Sequence, residues 1–428
     1  MRHVIIGGGA AGIKAAEQIR TISSDAEIVI VMEDMSIHSR CMLHKFLAGE
    51  RDEVTMSFLP EEIERKLNLI FYRGYTVSFI DTERKKITIE AITDLAKNDE
   101  SNKNKDGKVG EIAYDKVLIA TGSNGFVPPA PGLRAAKNVF CFRHLSEAKA
   151  IRERLETCEN FAIIGAGLVG IDAAYGLLEL GKNVTVIDMA ERMIPMQLCD
   201  EAASTYQKVF EEHGCRFSLG RKVTDTRLDD NGNIISIVLD DGSEVPCDLV
   251  IVAAGERAAL GPVEGSTIKH ERFIEVDDHM RTSAKDVFAA GNVTGLSGTW
   301  PNAKKQAEVA AENMCGGNKI YEDTYAMKNT MNFYGLITLS LGSGKIEEGD
   351  KVIEQHDSFG YRRTVLKGGV LDSIILQGRN LNYVGVYQYI IKNKIDLTDL
   401  VEDDENEIFK LSFAEFYGID RDGQYKYA

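Results

Sequence analysis

The sequence lacks a close pair of cysteines. Its seven cysteines, at 41, 141, 158, 199, 215, 247 and 315, contain no C-x-x-C, which argues against a zinc site, an iron–sulfur cluster or a disulfide framework and for reduced thiols. It also lacks any apolar run approaching the roughly 20 residues that a membrane-spanning helix needs. The opening Val4-Ile5-Ile6 breaks at glycine after three residues, too short for the core of a signal peptide. A cytoplasmic protein without membrane association is expected. A basic excess is missing too: 50 Lys and Arg stand against 66 Asp and Glu, a net charge of -16. Nothing would offset repulsion from phosphates, so nucleic acid is not an expected partner.

What is present is a repeat. At 428 residues the chain exceeds a single ordinary core, and two or three domains are expected. Val4-Ile5-Ile6-Gly7-Gly8-Gly9-Ala10-Ala11-Gly12 is echoed by Ala162-Ile163-Ile164-Gly165-Ala166-Gly167-Leu168-Val169-Gly170. In each copy a β-branched strand runs into G-x-G-x-x-G. Helical stretches over 13–22 and 171–181 follow, then apolar strands over 27–32 and 183–187, making two βαβ units.

Two further runs, Val117-Leu118-Ile119-Ala120-Thr121-Gly122 and Leu249-Val250-Ile251-Val252-Ala253-Ala254-Gly255, read as buried parallel strands that end at a ligand. Alternating sequence with turns such as Asp229-Asp230-Asn231-Gly232 lies before each closing strand and predicts a β-meander. The polar stretch from Thr93 to Gly110 reads as a solvated loop. A helix over 305–314 stops at Gly316-Gly317. Beyond about residue 325 come alternating strands (331–333, 337–339, 364–366, 373–376), then a helix over 383–392. The expectation is an α/β chain of two Rossmann-like dinucleotide-binding domains plus a C-terminal α+β domain. Its boundaries are 1–115 with 247–324, then 116–246, then 325–428.

One glycine-rich turn is weak evidence, whereas two with strand before, helix after and an acid at the end of the next strand are strong. The glycines Gly7, Gly9, Gly12, Gly165, Gly167 and Gly170 let backbone approach a pyrophosphate, and the helix start supplies unpaired N–H groups. Glu33, 21 positions after Gly12, and Asp188, 18 after Gly170, are placed to accept from ribose hydroxyls. The alternative for each is an acid that merely faces water.

With these motifs the chain resembles the pyridine nucleotide-disulfide oxidoreductases over nearly its whole length. Ala120-Thr121-Gly122 is similar to their A-T-G strand end. Asp286-Val287-Phe288-Ala289-Ala290-Gly291-Asn292 is similar to their second FAD fingerprint, with Asn292 where an aspartate usually holds the ribityl chain. Ser39-Arg40-Cys41-Met42-Leu43-His44-Lys45, Leu47-Ala48-Gly49-Glu50, Trp300-Pro301-Asn302-Ala303 with Gln306, and Asn332-Phe333-Tyr334-Gly335-Leu336 resemble the NADH:rubredoxin reductase and nitrite-reductase flavin-domain group. The resemblance implies the glutathione-reductase-like ββα topology, FAD in the first domain, NAD(H) in the second, and a third domain for dimerisation or partner docking.

It further implies that Ala10, Ala11, Arg40, Val77, Gly255, Gly291, Asn292 and Trp300 join the glycines at the cofactors. Val77 would lie by the adenine, and the helix after Trp300 would aim its N-terminus at the flavin pyrimidine. Lys45 and Asp172 would meet beside flavin N5. Cys41 falls where NADH oxidases, peroxidases and coenzyme A disulfide reductases keep a redox cysteine, although Ala10 stands where peroxidases have histidine. A small buried hydrophobe is the alternative for Cys41. The expected function is hydride transfer from NADH through FAD to a small redox protein or small-molecule acceptor. The rivals are a Cys41-dependent NADH oxidase or coenzyme A disulfide reductase, and a non-catalytic FAD/NAD redox-sensing subunit. No metal is expected, and a homodimer is possible.

Overall fold

The computed structural model describes residues 1–92, 110–322, 328–358, 360–378, 384–412, 417–419 and 425–427. The expected solvated loop from Thr93 lies, up to residue 109, outside them. Contacts divide the chain into two compact units. One comprises Met1–Gly165, Asp172–Thr185 and Val223–Glu322; the other comprises Ala166–Ile171, Val186–Lys222 and Asp323–Ala428.

In the first unit, β1 (Arg2–Ile6) leads into helix α1 (Ala10–Ile22) and returns as β2 (Glu27–Met32). Helix α2 (Leu43–Leu47), α3 (Glu61–Leu67) and β3 (Ile70–Arg73) follow. The strands β4 (Tyr75–Asp81), β5 (Lys86–Ala91) and β6 (Gly110–Ala113) form an antiparallel meander, and β7 (Lys116–Ile119) closes the motif. Val4 and Ile5 are fully buried, as a strand covered on both faces by helices and meander demands. The unbroken apolar run in β1 is the cause.

Beyond β7 come β8 (Ser123–Gly125), β9 (Val139–Cys141), α4 (Leu145–Arg152) and β10 (Asn160–Ile164). Then follow α5 (Leu168–Leu178), β11 (Asn183–Asp188), α6 (Asp200–Glu212) and β12 (Arg216–Leu219). A second meander, β13 (Val223–Leu228), β14 (Ile234–Leu239) and β15 (Glu244–Pro246), precedes β16 (Leu249–Val252), β17 (Glu256–Ala258), β18 (Val287–Ala289) and α7 (Trp300–Met314). The first sheet has the order β18-β7-β1-β2-β3, and another has the order β12-β11-β10-β16-β9.

These pairings correct two expected boundaries. Lys116–Ile119 pairs in parallel with β1, and Leu249–Val252 pairs with β10. Each closing strand therefore belongs to the sheet of the glycine loop that precedes it, because the strand after a meander returns to complete the sheet it left. The chain changes sheets after Gly122 and after Gly255, not before β7 and β16.

In the second unit, β19 (Lys328–Phe333), β20 (Leu336–Gly342), β21 (Lys351–Asp357), β22 (Gly360–Lys367) and β23 (Val370–Gly378) form one antiparallel sheet in the order β19-β20-β23-β22-β21. Helix α8 (Val384–Asn393) packs Val386, Tyr387 and Ile390 onto Leu339, Leu341, Ile374 and Leu376. Helix α6 joins this unit through hydrogen bonds. The Tyr206 hydroxyl donates to the Leu336 carbonyl at 2.7 Å, and Gln377 Nε2 donates to the Ala202 carbonyl at 3.0 Å. Residues 166–171 and 186–222 thus cluster with the C-terminal sheet, a larger grouping than expected from sequence.

Candidate functional site

The first glycine loop is shaped by contacts that only glycine tolerates. Gly7 has φ of 113°, and a β-carbon there would lie 2.2 Å from the Ala120 carbonyl oxygen. At Gly12 it would lie 1.9 Å from the Gly7 carbonyl oxygen. The loop is therefore clamped between the end of β7 and the first turn of α1. Gly9 caps α1 without any side-chain hydrogen bond, so its neighbouring amides stay available to an anion. The Arg40 guanidinium reaches over this loop, Nη1 standing 3.2 Å from the β-carbon position of Gly9. Arg40 Nη2 is held at 3.1 Å by Asp34.

The other expected residues are placed as follows. Ala120 is bonded through its N–H to the Ile6 carbonyl at 2.8 Å, and the Thr121 hydroxyl donates to Ala259 at 2.9 Å. Gly122 and Gly255 both adopt left-handed φ, 72° and 103°. Gly291, also left-handed at 86°, packs against Ala11, and its N–H donates to Gln306 Oε1 at 2.8 Å. That glutamine is fully buried and also accepts from Thr294 at 3.0 Å. It fixes the second fingerprint to α7. Helix α7 starts at Trp300 with Pro301 in its first turn and no side-chain cap, leaving its first N–H groups without a capping side chain. Trp300 is edge-on to Phe58 at 4.8 Å. Glu33 follows β2, is exposed, and accepts from the Thr76 hydroxyl at 2.8 Å; the adjacent Val77 is buried in the sheet core.

The stretch from Arg40 to Lys45 departs from the implied pairing. Lys45 Nζ donates to both oxygens of Glu50 at 2.8 Å, whereas the residue beside Asp172 is His44, Nδ1 to Oδ2 at 3.7 Å. Lys45 acts on Asp172 only through its charge. Burial pushes the Asp172 carboxyl up to about 7, against the lowering influence of Lys45. Burial first, then Lys45, pushes His44 down to about 4, so it stays neutral near pH 7. Adding Lys45 to the Glu50 pair satisfies its ammonium locally, because Glu50 lies one turn away and is within easy reach.

Cys41 sits in a 3-10 turn and is open to solvent. Desolvation by its neighbours and then Asp172 raise its thiol above the ordinary value, with Arg143 acting the other way. That environment disfavours a resting thiolate. All seven cysteines are free. Among the described residues no cluster of three or more His, Cys, Asp or Glu could hold a metal, and no helix is long and apolar enough to cross a membrane.

The second loop repeats the design. Gly165 has φ of 116°, and its β-carbon would lie 2.3 Å from the Ala253 carbonyl oxygen. Gly167 has nothing within 4 Å of that position. Asp188 closes β11 with Oδ2 accepting from Ala166 N–H at 2.6 Å and Oδ1 from Ala190 N–H at 2.7 Å. Arg192, near in sequence, is committed to Asp200 at 2.9 Å. Gly170 lies in the first turn of α5.

Sequence reasoning missed Glu256. Its carboxylate collects Asn292 Nδ2 at 2.7 Å, the Ser123 hydroxyl at 2.7 Å and Arg143 Nη1 at 2.7 Å. The only signal was an acid directly after Gly255, and its three partners come from three other segments. His44 was likewise overlooked beside Lys45.

Residues 1–307 match the family described as pyridine nucleotide-disulphide oxidoreductase. An NADH oxidase of Methanocaldococcus jannaschii is 31% identical, over 74% of this chain and 70% of its own length. A rubredoxin-NAD(+) reductase of Pseudomonas putida is 27% identical, over 74% of this chain and 80% of its own. A nitrite reductase [NAD(P)H] of Bacillus subtilis is 29% identical over 88% of this chain, which spans 45% of that enzyme. Among solved structures, a water-forming NADH oxidase from Lactobacillus brevis bound to NADH superposes with a TM-score of 0.82 at 20% identity, covering 94% of this chain and 92% of that one. This last likeness concerns the fold.

Proposed function

The chain belongs to the pyridine nucleotide-disulphide oxidoreductase family and is an FAD- and NAD(H)-dependent oxidoreductase; from that premise we propose that it draws hydride from NADH and delivers electrons to a separate small redox protein. The observation that carries this reading is the pair of glycine loops, each pressed so closely on the following strand that Gly7 and Gly165 admit no side chain. The room left at Gly167 and the bare first turn of α1 fit a pyrophosphate.

When bound, FAD supplies the chemistry, accepting hydride from a nicotinamide and releasing electrons to the next carrier. The chain's residues bind and orient. Amides at the start of α1 and the Arg40 guanidinium offset pyrophosphate charge. Glu33 accepts from the adenosine ribose of the first dinucleotide and Asp188 from that of the second. Uncapped N–H groups of α7, with Trp300 beside them, would face the flavin pyrimidine and favour negative charge there. Asp172, protonated or ionised near pH 7, can hold a proton close to the reacting ring, with Lys45 influencing it by charge.

A second reading, as an oxidase, is favoured by the name of the M. jannaschii relative, NADH oxidase, and by the open position of Cys41. The raised thiol pKa and the absence of a neighbouring acid at Ala10 support the carrier-protein reading instead. The name of the P. putida relative identifies rubredoxin as the kind of acceptor to test. The domains follow the sheets: the first glycine loop with β7 and β18 for FAD, the second with β16 for NAD(H). The C-terminal sheet serves docking or dimerisation, in a cytoplasmic protein whose thiols are all unpaired.

The experiment is to compare NADH-driven reduction of rubredoxin, oxygen and coenzyme A disulfide by the purified yellow protein. Rubredoxin should win in kcat/KM. Dominant oxygen or disulfide turnover gives the function to the rival, and a protein that bleaches with NADH yet passes electrons to none is the sensor.

A further inference from the structure

The Glu256 cluster lies beside the elements proposed above to cradle the first dinucleotide. Asn292 follows Gly291, whose β-carbon position is 3.3 Å from Ala11 in the first turn of α1. Gly298, two residues before α7, has its β-carbon position 3.8 Å from Glu256 Oε1 and 3.9 Å from Asn292 Nδ2. The cluster therefore sits among the first turn of α1, the second fingerprint and the approach to α7, the elements assigned to FAD above. Its hydrogen bonds leave only one orientation for the Asn292 amide. Nδ2 must face the carboxylate, since Oδ1 there would set two acceptors 2.7 Å apart. Oδ1 is thereby turned away, and among the described residues it accepts from none.

Glu256 is held in turn. Oε2 accepts from Ser123 and from Arg143 at 2.7 Å each, and Arg143 Nε is itself committed to the Ser123 carbonyl at 2.6 Å. The carboxylate cannot swing away without breaking these bonds. It keeps 38% exposure, on the open side of the cradle.

We propose that Glu256 is a positioning residue which, through Asn292, presents one fixed acceptor to a hydroxyl of the flavin's polyol chain. This rests on the FAD assignment above. The pair carries one negative charge and one hydrogen bond between positions 256 and 292, and only that arrangement matters. A carboxylate at either position with an amide at the other satisfies the geometry. Two carboxylates do not, because like charges at hydrogen-bond distance cannot both ionise.

The swap is the test. Holoenzyme variants N292D, E256Q and E256Q/N292D are diluted, and free FAD is measured by its fluorescence to give a dissociation constant. The single variant N292D should release FAD at least about tenfold more readily, having lost the donor and gained a repelled charge. E256Q should weaken binding by about threefold or more, since the amide orientation is no longer dictated. The double variant should return to within about threefold of wild type, with the flavin absorption maxima of wild type. Binding by N292D as tight as wild type overturns the proposal, as does a double variant at least as weak as the two singles combined. A wild-type protein that retains no FAD overturns the cofactor reading itself, a separate outcome.

Discussion

The two glycine loops allow steric necessity and ligand necessity to be separated with one methyl group each. In Gly12→Ala the new β-carbon would lie 1.9 Å from the Gly7 carbonyl oxygen, more than 1 Å inside the 3.0 Å that such contacts respect. Backbone on both sides must move, and neither β1 nor α1 can yield without disturbing its packing. The cost is about 3 kcal/mol or more, in the range of overpacked cores. In Gly167→Ala nothing lies within 4 Å of the new atom, and the position precedes α5, where alanine instead of glycine costs about 1 kcal/mol at most. The methyl would occupy the open space through which the proposed pyrophosphate approaches the backbone. Losing that approach should cost about 2 to 3 kcal/mol of binding, or roughly 30- to 150-fold in Kd for NADH. Thermal unfolding and NADH titration on the same preparations decide it. Gly12→Ala should unfold many degrees early or fail to accumulate; Gly167→Ala should melt near wild type and bind NADH poorly. A Gly167→Ala protein with wild-type NADH affinity would refute the placing of the nucleotide on the second loop.

Asp172→Asn should raise stability by about 1 to 2 kcal/mol at pH 8, allowing for solvent screening of a side chain 30% exposed. The sign follows from the raised carboxyl: the folded protein holds this proton more tightly than the unfolded chain, so the wild type loses stability as pH rises from about 4 to about 7. Melting curves at pH 5 and 8 should therefore show a larger gain at pH 8, and equal gains would count against a raised acid. Cys41→Ser should keep at least about half of NADH-driven electron transfer, and wild type should take up about two electrons per FAD in anaerobic titration. Uptake of four, falling to two in the variant, would establish a cysteine redox centre. NADH should be preferred to NADPH in kcat/KM, because Asp188 repels a 2′-phosphate; equality would withdraw that role.

The parts of the fold set by local rules were legible in sequence. Both βαβ units fall where the glycine spacing and apolar runs predict, and α1 begins at Ala10 within a few residues of expectation. Asp188 is bonded to the second glycine turn through the Ala166 N–H, while Glu33 pairs with the Thr76 hydroxyl. What failed depended on long-range pairing. The allegiance of Lys116–Ile119 and Leu249–Val252 to particular sheets is decided by strands more than 80 residues distant, and no local pattern carries that. The strand Lys351–Asp357 was missed because it is an edge, with charged and polar residues at most positions and little alternation. At the site, Lys45 turned to Glu50 because both lie in one short stretch, while the Glu256 cluster draws on residues 123, 143, 256 and 292, which have no sequence relation.

The two amides that Asp188 accepts from, Ala166 and Ala190, have a consequence for coenzyme engineering. The side chain proposed to meet the sugar also ties the glycine turn to the end of β11. A substitution made to admit a phosphorylated nucleotide would remove the charge and, in the same step, unfasten the turn proposed to carry the pyrophosphate. Selectivity and scaffold cannot be varied independently through position 188, so relaxing one without loosening the other requires a new anchor for the Ala166 amide.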